Sequence, residues 1–158
     1  MDFCDFNLLD VTSCTSCGFS TNVLENFRSQ SNRNAPFNVE QFQEGWGERM
    51  QSSLEKIKDP AACMSEERDL EMALLSYDLA IETHKRLSEV ADTPYANVRK
   101  MASLNMVKAE MLSEAGRIDE AKAALKKVIE WLEPIFEQLD KEEIIKACLL
   151  LFRLKVYF

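Results

Sequence analysis

The sequence predicts an all-α fold assembled from antiparallel helical hairpins, and three observations carry that expectation. Gly and Pro number only 4 each in 158 residues, too few to punctuate the many short strands of an all-β protein. From residue 37 onward, apolar residues recur at three- and four-residue steps rather than in alternation, which aligns them on one helix face. Between these stretches stand cap residues, prolines and a glycine at the offsets where helices start and stop. A chain of this length ordinarily forms one domain and buries a core without metal or disulfide staples.

Residues 1–36 read as an acidic and polar N-terminal segment, partly irregular and expected to be partly disordered, closed by the linker-like stretch Arg28 to Pro36. Phe3, Phe6, Leu8 and Leu9 lie among Asp2, Asp5 and Asp10. That pattern suits a short helix that docks on a partner or packs back on its own domain, and packing back is the preferred reading.

Residues 37–158 read as a helical domain. A first helix is expected from Asn38, with Gln41 as capping-box partner. Val39, Phe42, Trp46, Met50, Leu54 and Ile57 form its stripe, Gly45 and Gly47 weaken it, and Asp59-Pro60 ends it. A second helix is expected from a Ser65 cap with Glu66 and Glu67 in its first turn. Its stripe is Leu70, Ala73, Leu74, Tyr77, Ala80, Ile81, His84 and Leu87, and it runs to about Ala91. Thr93 and Pro94 open a third helix, as N-cap and first helical residue; it carries Val98, Met101, Leu104, Val107, Ala109, Met111 and Leu112 and stops at Gly116. A fourth helix follows at once, burying Ala121, Leu125, Val128, Ile129, Leu132 and Phe136, with Pro134 disturbing its last turn. Asp140 and Glu143 cap a fifth, apolar nearly all round from Ile144 to Phe158.

The composition excludes several function classes. Lys plus Arg number 19 against 27 Asp plus Glu, for a formal net charge of -8, and no basic stripe offsets this background, so no nucleic-acid partner is expected. No apolar run approaches the ~18 residues of a membrane span, and the first residues lack the positive start of a secretory signal. An intracellular, cytoplasmic rather than nuclear, location is expected. The five Cys, without a secretory context, are expected to be free thiols.

Met101 to Leu132 resembles one tetratricopeptide repeat: a first helix, the turn Ala115-Gly116-Arg117-Ile118-Asp119-Glu120-Ala121, and a second helix. Gly116 and Ala121 stand where that family places the closing glycine and a small residue that lets the helices approach. Asp69 to Ile81, with Ala73 and Ala80 at small positions, resembles the second helix of a preceding repeat. The sequence departs from the pattern in its spacing: Ala73 and Ala121 are 48 apart, against a usual repeat of about 34 residues. Asn105 and Lys108 replace bulky apolar residues of the pattern. A generic helical bundle fits the same hairpins, and either N-terminal helices cap the array or the chain belongs to a longer one.

The resemblance implies an interaction module or scaffold without cofactor or catalysis, whose inner surface is contributed by Ser103, Met106, Glu110, Ser113 and Glu114. That groove suits a peptide or a basic amphipathic helix of another protein. Two other readings remain. Cys14-x-x-Cys17, with Cys4 and Cys63, offers weak candidate ligands for a small zinc-binding module, although no metal is favoured. The apolar stretch 144–158 would support self-association as an oligomerising scaffold. His84 has no nucleophile recognisably placed with it and is read as a structural residue.

Overall fold

The computed structural model describes residues 11–14, 17–22, 37–54, 69–92 and 94–138, together with 141, 142, 144, 145 and 148, residues 52–54 and 138 by backbone alone. The fold is all-α: β1 (Thr12–Ser13) and β2 (Ser20–Thr21) are followed by α1 (Val39–Gln43), α2 (Trp46–Leu54), α3 (Leu70–Val90), α4 (Pro94–Glu114), α5 (Ile118–Leu132) and the 3-10 turn Glu133–Gln138. The chain divides into two compact units, Met1–Asp92 and Thr93–Phe158.

In the first unit, the expected helix from Asn38 begins as read: the Asn38 side chain accepts from the Gln41 N–H at 3.1 Å. It does not run on to Ile57, however. Gly45 adopts φ +69, a conformation costly for residues with a Cβ, and the helix splits into α1 and α2. Phe42, Trp46 and Met50 stay on one buried stripe across the break and join Leu79 and Leu87 of α3 in a core. The orphan carbonyls left at the end of α1 find a donor on α3. The Arg86 guanidinium bonds the carbonyls of Phe42 at 3.2 Å and Glu44 at 2.8 Å, and also that of Gln41. Arg86 also pairs with Glu89 at 2.9 Å, and Glu89 receives Arg49 of α2 at 3.1 Å and 3.2 Å. Partial burial pushes the Glu89 carboxyl upward, but the hydrogen bonds from Arg49 and Arg86 outweigh it and hold the group below the usual carboxylate range.

α3 is capped by Asp69, whose carboxylate accepts from the Met72 N–H at 2.9 Å. Ser65 is therefore not its cap, and residues 55–68, with Ile57, Asp59-Pro60, Cys63 and the Ser65 expectation, lie outside the described residues. The expected stripe is buried from Ala73 to Leu87, and Ser76, Leu79 and Thr83 are buried with it. The wider buried face has a use. The N-terminal segment contains a β-hairpin that the sequence reading missed, with Thr12 paired to Thr21 and Ser13 to Ser20. Its returning strand packs on α3, where the Ser20 N–H donates to Thr83 Oγ1 at 3.0 Å and Thr21 Oγ1 meets His84 Nε2 at 3.1 Å. Two strands of two residues are too short to stand alone in water, and these helix contacts hold them.

In the second unit, α4 opens on Pro94 as expected; Thr93 lies outside the described residues. The turn after α4 is a Schellman motif: the Arg117 N–H bonds Leu112 O at 2.8 Å, and the Gly116 N–H bonds Ser113 O at 3.0 Å, with Gly116 at φ +75. So short a connection makes α4 and α5 an antiparallel hairpin. Ala102, Ala109, Ala121 and Ala124 are buried, as are Leu104, Leu112, Leu125, Val128 and Leu132. Asn105, an apparent misfit in the sequence, is 3% exposed and donates from Nδ2 to the Ala124 carbonyl of α5 at 2.7 Å. Pro134 falls in the first turn of the 3-10 segment that succeeds α5, as its missing N–H and ring sterics require. Residues 141, 142, 144, 145 and 148 are helical; the Asp140 and Glu143 caps and the apolar end 149–158 lie outside the described residues.

Candidate functional site

The α4–α5 hairpin carries a small surface cleft of about 70 Å³, open to solvent. From α4 it is lined by Met106, Ala109, Glu110 and Ser113, and from α5 by Ile118, Ala121, Lys122 and Leu125. Local structure explains the opening. The Schellman turn brings the two helices together, and the alanines at 109 and 121 leave their contact without bulk between larger neighbours. Ile118, in the first turn of α5, is 46% exposed, an apolar side chain held at the cleft rather than within the core. Glu110 stands on the α4 side and Lys122 on the α5 side, so the rim carries one charge of each sign.

Of the residues expected on the inner surface, Met106, Glu110 and Ser113 line this cleft together. Ser103, half-buried, and Glu114, exposed, do not border it. The α5 contribution was missing from the sequence reading, which drew the groove from one helix; Ile118 and Lys122, a step of four on α5, were the signal available. The acidity also distributes unevenly. Residues 93–158 carry 11 Lys and Arg against 10 Asp and Glu, while residues 1–92 carry 8 against 17.

The cysteine pair occupies the β1–β2 turn. The Cys14 N–H bonds Phe19 O at 2.7 Å, and the Gly18 N–H returns to Cys14 O at 2.9 Å. Cys14 and Cys17 are both free thiols. Burial pushes the Cys17 thiol up; the Phe19 backbone N–H bonded to it works the other way, and the bond and charge of Cys14 raise it again, leaving it above the usual thiol value. A thiol so held is protonated at neutral pH, unlike the low-pKa cysteine of a redox motif at a helix N-terminus. Among the described residues no cluster of three or more candidate metal ligands occurs; Cys4 and Cys63 lie outside them. His84 is 3% exposed and engaged with Thr21.

A family model described as "Uncharacterized protein conserved in bacteria (DUF2225)" matches residues 4–154. The chain belongs to the DUF2225 family. The match spans both compact units, so hairpin, cleft and cysteine turn all fall within the family's extent. Comparison with curated proteins and comparison with solved structures each found no match. No helix among the described residues is long and apolar enough to cross a membrane.

Proposed function

We propose that this chain is a protein-interaction module of tetratricopeptide type, in which the α4–α5 cleft receives an amphipathic helix or peptide of a partner protein. The observation that carries the reading is the cleft itself: an apolar floor of Met106, Ala109, Ala121 and Leu125 flanked by Glu110 and Lys122. Apolar concavities with a few placed polar groups are the usual form of a recognition site, and a helix docks into such a groove through apolar residues at three- and four-residue steps. The Schellman turn at Gly116 and the buried Ala121 support the repeat resemblance, as do the 21-residue lengths of α3 and α4, which accommodate the long spacing. The partner segment carries an apolar anchor for the floor and a basic residue for Glu110. Lys122 adds a demand for an acidic residue on the opposite flank, so charge here selects orientation more than it supplies affinity.

The test is fluorescence anisotropy with a labelled synthetic helix bearing a Leu face, a Lys flank and a Glu flank. Saturable binding is expected, weakened by Glu110→Lys and by Ile118→Asp, and restored toward Glu110→Lys when the peptide's Lys flank is changed to Glu. Binding indifferent to both substitutions removes the cleft from the interaction. Ile145 is 61% exposed, which favours a second reading, self-association through 144–158. Sedimentation velocity separates the two: concentration-dependent dimers abolished by Ile145→Glu, with the peptide failing to bind the monomer, assign the function to self-assembly instead.

A further inference from the structure

We propose that two copies of this chain pair reversibly across the α4–α5 cleft in an isologous contact, Ile118 of each entering the cleft of the other and Glu110 of each meeting Lys122 of the second copy. Three observations point to a second copy as the occupant. The first is size. A cleft of about 70 Å³ has room for on the order of five waters, the scale of one branched aliphatic anchor. The chain itself presents such an anchor at the same place: Ile118 borders the cleft and is 46% exposed. Burying an apolar side chain of this kind is favourable, and a second copy buries two at once.

The second observation is the placement of charge. Glu110 comes from α4 and Lys122 from α5, and among the described residues neither takes part in an ion pair. A two-fold contact sets residue i against j and j against i. A patch with an acid on one flank and a base on the other is therefore complementary to itself, and forms the same pair twice. Third, the surrounding charge permits the approach. Residues 93–158 carry 11 Lys and Arg against 10 Asp and Glu, a net of +1, whereas residues 1–92, with 8 against 17, carry -9. Pairing through the near-neutral second unit meets little of the like-charge repulsion that the first would impose. A contact centred on so small a cleft belongs with the weak, transient interfaces that bury less than ~1,200 Å². A second copy then covers the cleft at high concentration and leaves it readily. Where the cleft serves a partner segment, copy and segment compete for it; that consequence rests on the function proposed above, and the pairing does not.

Sedimentation velocity on the full chain, across roughly a hundredfold range of concentration, should show a monomer–dimer equilibrium. Glu110→Lys sets like charges together at both flanks, as does Lys122→Glu, and each should weaken the dimer by about tenfold. Mixed in equal amounts, the two variants should form a heterodimer with the affinity of the unmodified chain, because opposite charges then face one another at both flanks. Recovery on mixing also shows that each variant is folded. Ile145→Glu should leave the dimer intact. A chain that stays monomeric throughout, dimers indifferent to both charge variants, or single variants that do not recover on mixing would each overturn the pairing. The amphipathic peptide should dissociate the dimer. If dimers with the predicted charge pattern persist at peptide saturation, competition for the cleft is refuted and the pairing stands. Peptide binding by a chain that never dimerises has the opposite meaning, overturning the pairing and keeping the partner-binding function.

Discussion

Asn105 offers the sharpest test of how the second unit is held together. Its amide is 3% exposed and donates to the Ala124 carbonyl across the hairpin at 2.7 Å. A neutral hydrogen bond contributes about 0.5–1.5 kcal/mol net. Asn105→Ala removes that bond and leaves space between α4 and α5, for a combined cost of about 1–3 kcal/mol. Asn105→Leu should cost less, since an apolar side chain of similar size fills the site. Asn105→Asp is the severe case: it replaces a donor with an acceptor facing a carbonyl oxygen and buries a charge without a partner, costing about 3–5 kcal/mol. For a chain of this size each kcal/mol lowers Tm by about 2–4 °C, so thermal denaturation followed by circular dichroism should rank the variants Leu, Ala, Asp in order of increasing loss. The Asp variant should recover part of its deficit at acidic pH, because its buried carboxyl has a raised pKa and, once protonated, can donate to Ala124. An Asp variant that melts with the unmodified chain at neutral pH refutes the cross-helix contact.

Gly116→Ala should destabilise the second unit by about 1–2 kcal/mol. A Cβ there meets nothing within 4 Å, so the cost is that of the φ +75 backbone alone, and Gly116→Asn, which tolerates this conformation, should lose less in the same melt. Ala121→Phe should overpack the α4–α5 contact by about 1–3 kcal/mol, read as a lower Tm; a neutral result would mean the helices are not close at this position. Glu89 has a folded pKa below its unfolded value near 4.3, so its contribution is complete above that value and is lost as pH falls through the folded pKa. An acid melt of the unmodified chain should therefore steepen below about pH 4 relative to Glu89→Gln, which has already lost the pairing with Arg49 and Arg86; parallel curves would contradict that linkage.

The parts of the fold legible in the sequence were those governed by local chemistry. The Asn38 cap, Pro94, the Gly116 closure and the Pro134 break each depend on a few neighbouring residues, and each stands where the pattern put it. Tertiary contacts decided the rest. The 38–57 stripe looked continuous because Phe42, Trp46 and Met50 remain on one face across the Gly45 break, while the Arg86 donors that satisfy the end of α1 lie more than forty residues away. Ser65 and Asp69 are both good caps, and local preference could not choose between them. The β-hairpin was invisible to periodicity: its strands are Thr-Ser and Ser-Thr, with no apolar alternation to read, and only the glycine directly after Cys17 hinted at a reversal. Asn105 looked out of place on a buried helix face because its partner is a backbone carbonyl, which no side-chain pattern reveals. Three of the five residues expected on an inner surface, Met106, Glu110 and Ser113, border the cleft; its α5 lining was not read, since that surface was drawn from one helix only.

The most direct measurement of the central claim is methyl NMR on the full chain, labelled at Met, Ala, Ile and Leu and titrated with the amphipathic peptide. The shifts should saturate together and centre on Met106, Ala109, Ile118, Ala121 and Leu125, with Leu79 and Leu87 of the first unit unmoved. Shifts that centre on Ile145 and change with protein concentration before any peptide is added, or that leave Ile118 and Ala121 unchanged at saturation, would contradict it.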